Sequence, residues 1–270
     1  LVALSPYADK VILVGGIVPV LYRRMPAFRV PPHPPIATTE ADLALPPSVP
    51  IVGGKRVVDL LFDAGFVLYE APGFTPNSTG KQFFQDASYG AERPAPTYIE
   101  FLTPMRGKPK EGFVEPQSGV RAPPLRYLDL LSHEPLTVDA TTVEELCVKS
   151  RCAVHIPHPS LYVIQKVLAR SAGRSPAKQP KDMAYAYDIA VLTQPIRSEL
   201  GQVVARAREV RPEWKKWIDR GIADLRRLFA SDVSDGTIEA ARLYRDVIRP
   251  GPSEQAISKL VREFADALTG

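Results

Sequence analysis

Short apolar runs separated by prolines and glycines characterise the first 160 residues of the chain. Runs of this kind predict short buried strands, and they lie at residues 11–14, 66–70, 81–86, 97–102 and 153–157. Apolar residues at helical spacing predict short helices in the same part of the chain. Residues 1–10 are predicted to be the tail of one helix, and others are predicted at 16–24, 55–65 and 125–132. The first part is therefore predicted to mix strands and helices.

After His158 the apolar residues recur every three or four positions, which predicts amphipathic helices. Ser160 is the predicted N-cap of a helix that ends at residue 170, and the polar stretch 171–180 predicts an exposed loop. Further helices are predicted at 181–193, 195–209, 212–230, 235–248 and 253–268. We predict an α/β (α+β) protein, with a mixed β-sheet domain at residues 1–157 and an all-helical domain at 158–270.

Two acidic residues separated by one, Glu40 and Asp42, lie in a short segment that prolines bracket on both sides. If this segment is a strand, the two side chains project from the same face. Glu100 lies in the later predicted strand 97–102 and is placed to join them. Three carboxylates in one place are a hard, oxygen-rich site suited to Mg²⁺, with Mn²⁺ as the alternative. Metal-assisted nucleotidyl transfer requires such a site.

The first predicted strand ends in a glycine pair, Gly15 and Gly16. A glycine turn that opens a helix lets backbone N–H groups approach a phosphate. A glycine pair after a strand is more often a simple turn, and an alternating acidic pair on a strand is more often a solvated face. The order of the pieces favours a metal and triphosphate site: strand, glycine pair, helix, acidic pair, then a single acid.

These residues resemble the nucleotidyltransferase-fold superfamily, and more closely the bacterial members related to AbiEii-type and MenT-type toxins. The resemblance rests on the sequences LVGG at 13–16, TEADL at 39–43 and IEFLTPMRG at 99–107, and it extends to about residue 190. It implies a nucleotidyltransferase fold and transfer of NMP from an NTP to an acceptor hydroxyl. It also implies that Glu40, Asp42 and Glu100 are the catalytic and metal-binding residues.

The nucleotide-binding residues implied by this resemblance are Gly15, Gly16, Thr39, Lys166 and Asp182. Lys166 lies in an otherwise apolar helix, where its ammonium group would neutralise a triphosphate. The alternative is that Lys166 reaches solvent along its aliphatic stem and that Asp182 complements the dipole of a helix start.

The toxin branch of the family implies tRNA or another RNA as the acceptor and an antitoxin protein as a partner. A small molecule or a protein hydroxyl is an alternative acceptor. A module that binds nucleotide without catalysis is a further alternative, because Glu40 and Glu100 stand where the superfamily more often has Asp.

The chain has 270 residues and a net charge of +4. Residues 1–150 carry a net charge of −2 and residues 151–270 a net charge of +6. A basic half suits a polyanionic partner such as a nucleotide or RNA, although a solvated helical surface rich in Arg explains it equally well.

No apolar run is long enough for a transmembrane helix, and residues 1–20 do not resemble a signal peptide. The chain contains two cysteines, so we expect a reducing, cytoplasmic setting. Because the sequence does not begin with Met, we expect the native chain to extend upstream.

Two other groups of residues are candidates for sites. Cys147, Cys152, His155 and His158 have a spacing that fits a zinc site poorly, so buried thiols and ordinary histidines are favoured. The arginines after the glycine pair are either phosphate contacts or a solvated helix end, and they are Arg23, Arg24 and Arg29.

Overall fold

The computed structural model describes residues 2–36, 40–69, 83–86, 98–105, 107, 112–142, 152–173, 175–248 and 250–269. Contacts divide the chain into two compact units. The first unit contains Leu1–Val18 and Ala37–Pro157, and the second contains Pro19–Ile36 and His158–Gly270. The predicted α/β class, with a mixed sheet followed by helices, is confirmed. That residues 1–157 and 158–270 are separate domains stays a prediction.

The first unit is built around a mixed β-sheet. Its described strands are β1 (Ile12–Val14), β2 (Glu40–Ala44), β3 (Phe66–Tyr69), β4 (Phe83–Asp86), β5 (Tyr98–Pro104), β6 (Val114–Gln117), β7 (Val120–Ala122), β8 (Pro124–Leu125), β9 (Leu136–Asp139) and β10 (Ala153–Ile156). Its described α-helix is α2 (Val57–Asp63). A short helix, α1 (Val18–Tyr22), begins at the last residue of Leu1–Val18 and continues into the segment Pro19–Ile36 of the second unit. The strand order is β3-β4-β5-β2-β1-β10-β9, and β8 pairs with β5. β6 and β7 form a separate two-stranded sheet.

The middle of the large sheet combines parallel and antiparallel pairs. β2 is antiparallel to β1 and parallel to β5, and β1 is parallel to β10. Leu13, Leu43 and Phe101, one from each of β1, β2 and β5, are almost completely buried. Apolar burial on these central strands fixes their register, because a slip of one residue would turn every side chain to the other face.

All five strands predicted from apolar runs are present within one or two residues of the predicted limits. β6, β7, β8 and β9 were not predicted, because they are only two to four residues long and contain proline or polar residues. The helical segments predicted at 1–10 and 125–132 are 3₁₀ turns at Val2–Tyr7 and Leu128–Ser132. Pro6 lies inside the first of these turns and removes a backbone donor.

The second unit contains six described helices after the segment Pro19–Ile36. They are α3 (Pro159–Ser171), α4 (Gln179–Leu192), α5 (Arg197–Val210), α6 (Lys215–Leu228), α7 (Asp235–Val247) and α8 (Glu254–Ala267). The predicted helices are confirmed with small shifts of their ends. None of the described helices is long and apolar enough to cross a membrane.

The predicted N-cap of α3 was wrong. His158 is the N-cap, and its Nδ1 accepts a hydrogen bond from the backbone N–H of Ser160 at 3.4 Å. Pro159 occupies the first helical turn, where its missing N–H is not needed. The Ser160 hydroxyl instead donates to the carbonyl of Leu200 in α5 at 3.3 Å. It therefore ties two helices together and does not cap its own.

A buried hydrogen-bond cluster holds the irregular parts of the first unit. The Gln117 Nε2 donates to the Tyr7 hydroxyl at 3.1 Å and to the carbonyls of Val49 and Pro50 at 3.3 and 3.2 Å. The Gln117 Oε1 accepts from the backbone N–H of Val57 at 2.6 Å, which satisfies an orphan donor at the start of α2. One side chain thus connects a 3₁₀ turn, a proline-rich loop and a helix.

A second buried cluster anchors the segment Pro19–Ile36 to the helices of the second unit. The Tyr244 hydroxyl in α7 donates to Asp188 Oδ1 in α4 at 2.5 Å. His33 Nε2 lies 3.3 Å from the same oxygen, and Arg23 Nη2 lies 3.5 Å from Asp188 Oδ2. Burial raises the pKa of Asp188 above its usual range, and Tyr244, His33 and Arg23 lower it again only in part.

We expect Gln117→Leu to destabilise the first unit by about 1–3 kcal/mol, because it leaves buried donors and acceptors without partners. Urea unfolding followed by far-UV circular dichroism measures the change. Ser118→Ala, at the exposed neighbouring position, is the control and should have almost no effect. An equally small effect of Gln117→Leu would show that the cluster contributes little to stability.

We expect Tyr244→Phe to destabilise the second unit by about 1–2 kcal/mol at neutral pH and by less near pH 4. A carboxyl group with a raised folded-state pKa contributes stability below its unfolded pKa of about 3.9 and loses it as pH rises through the folded value. Removing the hydroxyl removes a donor to the carboxylate and raises that pKa further. The loss of unfolding free energy caused by Tyr244→Phe therefore grows as the pH rises.

Tryptophan fluorescence during urea unfolding reports on the second unit, since both tryptophans of the chain, Trp214 and Trp217, lie there. Tyr187→Phe is the control, because the Tyr187 ring also packs on His33. It should change stability less and without a marked dependence on pH. A Tyr244→Phe cost that falls as pH rises would contradict the assignment.

Candidate active site

The acidic residues and the glycine pair are positioned by three adjacent strands of the first unit. β2 lies between β1 and β5. Asp42 pairs with Val14 of β1 in antiparallel register and with Glu100 of β5 in parallel register. Residues directly opposite each other on paired strands project from the same face, so Asp42 and Glu100 project together. Glu40 lies two residues before Asp42 and shares that face.

The three carboxylates converge in space. Glu40, Asp42 and Glu100 each offer a carboxylate oxygen within 4.8 Å of the other two. Glu40 and Asp42 are half-buried, whereas Glu100 is only 4% exposed. The structure thus brings the three predicted acids together, although sixty residues separate the outermost two. Their role as catalytic metal ligands stays a prediction.

The donor set fits a hard divalent cation. Carboxylate oxygens are ligands that Mg²⁺ and Mn²⁺ prefer, and Mg²⁺ is commonly held by one or two carboxylates together with substrate phosphates. Three negative charges at this spacing repel one another, most strongly around the buried Glu100. A divalent cation would offset that repulsion. The residues present therefore suit a metal ion by both charge and chemistry.

The glycine pair forms the turn that leaves β1. Gly15–Ile17 are a 3₁₀ turn that leads directly into α1. Gly15 is buried and has φ +74°, in the left-handed region that residues with a side chain rarely adopt. Gly16 is half-buried. Of the two glycines, Gly16 has more surface available to meet a ligand.

Lys166 and Asp182 form an ion pair inside the second unit. The Lys166 Nζ in α3 lies 3.4 Å from Asp182 Oδ1 in α4, and the two side chains are 8% and 0% exposed. The Nζ also lies 5.2 Å from the ring centroid of Tyr162 and 5.9 Å from that of Tyr185, both within cation–π range. The alternative that Lys166 reaches solvent is wrong. Asp182 does lie in the first turn of its helix, but it is buried.

Tyr185 was missed by the sequence analysis. It lies three residues after Asp182, at a spacing that places both on the same side of a helix. That spacing was the signal that could have found it. Thr39, the remaining predicted nucleotide-binding residue, lies outside the described residues.

The other residues considered from sequence have structural contacts. Arg23 is buried beside Asp188, so it is not a solvated helix end. Arg29 is exposed and its Nη1 donates to Gln194 Oε1 at 2.5 Å. Arg24 is exposed.

The described residues of the cysteine and histidine group, Cys152, His155 and His158, have different structural roles. Cys152 is buried, and the His155 Nδ1 lies 3.1 Å from the Thr137 hydroxyl across β9 and β10. His158 caps α3. Cys147 lies outside the described residues.

A protein-family model for nucleotidyltransferases (NTP_transf_8) matches residues 1–209. The match covers more than three quarters of the 270-residue chain. The chain belongs to this nucleotidyltransferase family. No curated protein and no solved structure matches it. The finer relation to AbiEii-type and MenT-type toxins stays a prediction.

Membership makes this nucleotidyltransferase a transferase of the nucleotidyl-transfer type, with an NTP as substrate. Its mixed sheet followed by helices is consistent with the nucleotidyltransferase fold. The matched region contains all eight residues that the sequence analysis placed in the site. It includes all of α3 and α4, so it extends beyond the acidic strands to Lys166 and Asp182.

We expect Asp182→Asn to destabilise the second unit of the nucleotidyltransferase by roughly 3 kcal/mol, because it leaves the Lys166 charge buried without its counter-charge. Urea unfolding followed by tryptophan fluorescence measures the loss. Asp219→Asn is the control in the same unit, since its ion pair with Arg208 is partly exposed. It should cost less than about 1 kcal/mol. Equal costs for the two variants would show that Lys166 is not held by this pair.

Proposed function

We propose that this enzyme is a Mg²⁺-dependent nucleotidyltransferase that transfers NMP from an NTP to an acceptor hydroxyl, with RNA such as tRNA as the acceptor. The observation that carries the proposal is the convergence of Glu40, Asp42 and Glu100 within 4.8 Å, in a chain that belongs to a nucleotidyltransferase family. Neither observation would be sufficient alone. Acidic clusters are common on protein surfaces, and family membership does not identify the reacting residues.

In this proposal Glu40 and Asp42 hold the metal, and Glu100 is a third ligand or the general base. Mg²⁺, or Mn²⁺ in its place, supplies charge neutralisation at the triphosphate and the leaving pyrophosphate when it is bound. The acceptor hydroxyl attacks the α-phosphorus in line, a P–O bond forms to the acceptor, and the bond to pyrophosphate breaks. As base, Glu100 takes the hydroxyl proton.

The glycines and the buried lysine are assigned to the triphosphate. Backbone N–H groups of Gly15 and Gly16 contact phosphate oxygens, which glycine permits by its lack of a side chain. Thr39 is assigned to the nucleotide on the resemblance alone. Lys166 supplies a compact positive charge. Asp182 holds that ammonium group and gives a further polar contact to the nucleotide.

The acceptor and the biological setting rest on weaker observations. Residues 151–270 carry a net charge of +6, and a basic surface favours a polyanionic partner such as RNA. The resemblance to AbiEii-type and MenT-type toxins supports a toxin–antitoxin or phage-defence role, with an antitoxin protein as partner. A small molecule or a protein hydroxyl is the alternative acceptor.

We expect Asp42→Asn to reduce NMP transfer by about 100- to 1,000-fold, because removing one catalytic charge costs about 3–4 kcal/mol of transition-state stabilisation. Transfer of radiolabel from [α-³²P]NTP in the presence of Mg²⁺ measures the rate. Asp63→Asn changes an exposed aspartate of α2 in the same unit and is the control. Full turnover by Asp42→Asn would refute the assignment of the acidic residues.

The acceptor is identified by running the same assay separately with total RNA, total protein and a panel of small hydroxyl compounds. Label in RNA supports the proposal, and label in protein or a small molecule replaces only the acceptor. If no acceptor is labelled, titration calorimetry with NTP and Mg²⁺ distinguishes the remaining cases. Tight metal-dependent binding without turnover would favour a non-catalytic nucleotide-binding module.

A further inference from the structure

Gly15 occupies a position where the Asp42 carboxyl group leaves no room for a side chain. A Cβ atom on Gly15 would lie 1.9 Å from Asp42 Oδ2, 2.7 Å from its Cγ and 3.0 Å from its Cβ. Contacts below 3.0 Å do not occur between a Cβ and a neighbouring atom without movement of one of them. The space that any other residue would fill is therefore occupied by the acidic side chain of the site.

The register of the sheet explains this close approach. Val14, the last residue of β1, pairs with Asp42, and Gly15 follows it at the turn. With φ +74° the chain turns out of the strand directly beside the Asp42 side chain. On the other side of β2, Glu100 pairs with the same residue. The Asp42 carboxyl group is thus confined between the turn at Gly15 and the neighbouring carboxylate.

Gly54 and Gly65, two other left-handed glycines among the described residues of the first unit, do not share this feature. Gly54 has φ +73°, nearly the same as Gly15, yet no atom lies within 4 Å of a Cβ placed on it. Gly65, with φ +84°, is also open. Positive φ alone explains a glycine at these positions. At Gly15 a second, independent constraint applies: the Asp42 side chain occupies the space that a Cβ atom would need.

We propose that Gly15 is a positioning residue for Asp42: the absence of its side chain allows the Asp42 carboxylate to lie with those of Glu40 and Glu100 within 4.8 Å. This inference rests on the proposed function for the metal role of the three acids. A side chain at residue 15 would displace the Asp42 carboxylate and lower the affinity for a divalent cation.

Mn²⁺ binding by the folded protein tests the proposal without any turnover. Mutation of a residue that orients a metal ligand typically lowers metal affinity by about 10- to 100-fold. We expect this range for Gly15→Ala, measured by electron paramagnetic resonance of Mn²⁺. Gly54→Ala is the matched control, because it imposes a similar backbone strain without a contact to a neighbouring atom. It should bind Mn²⁺ with the affinity of the original chain. Unchanged Mn²⁺ affinity in folded Gly15→Ala would overturn the proposal.

A double-mutant cycle in thermal unfolding tests the contact itself. Asp42→Ala removes the two atoms within 2.7 Å and leaves only the Cβ at 3.0 Å. We expect Gly15→Ala to lower the melting temperature much less in the Asp42→Ala background than in the original chain. The cycle also decides the case in which Gly15→Ala alone does not fold. A double variant that folds then supports the proposal, and one that fails to fold where Asp42→Ala alone folds overturns it.

The two measurements separate this inference from the proposed function. If the original chain does not bind Mn²⁺, the metal assignment of the three acids fails. The cycle still reports whether Gly15 and Asp42 are coupled. Equal effects of Gly15→Ala in both backgrounds would show that backbone strain alone requires the glycine.

Discussion

The site depends on the pairing of β2 with both of its neighbours. Three carboxylates within 4.8 Å repel one another, and Glu100 is almost completely buried. Sheet hydrogen bonds and the apolar residues on the other face hold them together against that repulsion. Asp42 is central, because its register is fixed by Val14 on one side and Glu100 on the other. A divalent cation bound here would replace an electrostatic cost with a stabilising interaction.

Buried polar side chains perform a related task in the irregular parts of the chain. Proline-rich segments cannot form continuous ladders of backbone hydrogen bonds. Gln117 supplies such bonds in the first unit, where it connects Tyr7, a loop and the start of α2. Asp188 does the same in the second unit through Tyr244, His33 and Arg23. A buried polar group that loses its hydrogen-bond partner costs free energy. Each cluster therefore favours the one arrangement of its segment in which these hydrogen bonds form.

Each of the two units contains a group of charged side chains that the proposed function uses. The first unit concentrates negative charge on Glu40, Asp42 and Glu100, and the second holds a buried ammonium group, Lys166, beside Asp182. Nucleotidyl transfer from a polyanionic NTP needs both a cation site and neutralisation of the triphosphate. The family match spans residues from both units. The assignment of Lys166 and Asp182 to the nucleotide stays a prediction.

The sequence by itself determined the α/β class, the main strands, the helices after residue 158 and the acidic residues, because period-two and period-3.6 patterns are local. It did not predict the short strands β6 to β9, whose pairing is decided by distant partners. It also placed Arg23 among candidate phosphate contacts and missed Tyr185. Only the tertiary structure decided that Arg23 is buried with Asp188 and that Gly15 lies against Asp42. Those contacts join residues far apart in the chain, and no local periodicity records them.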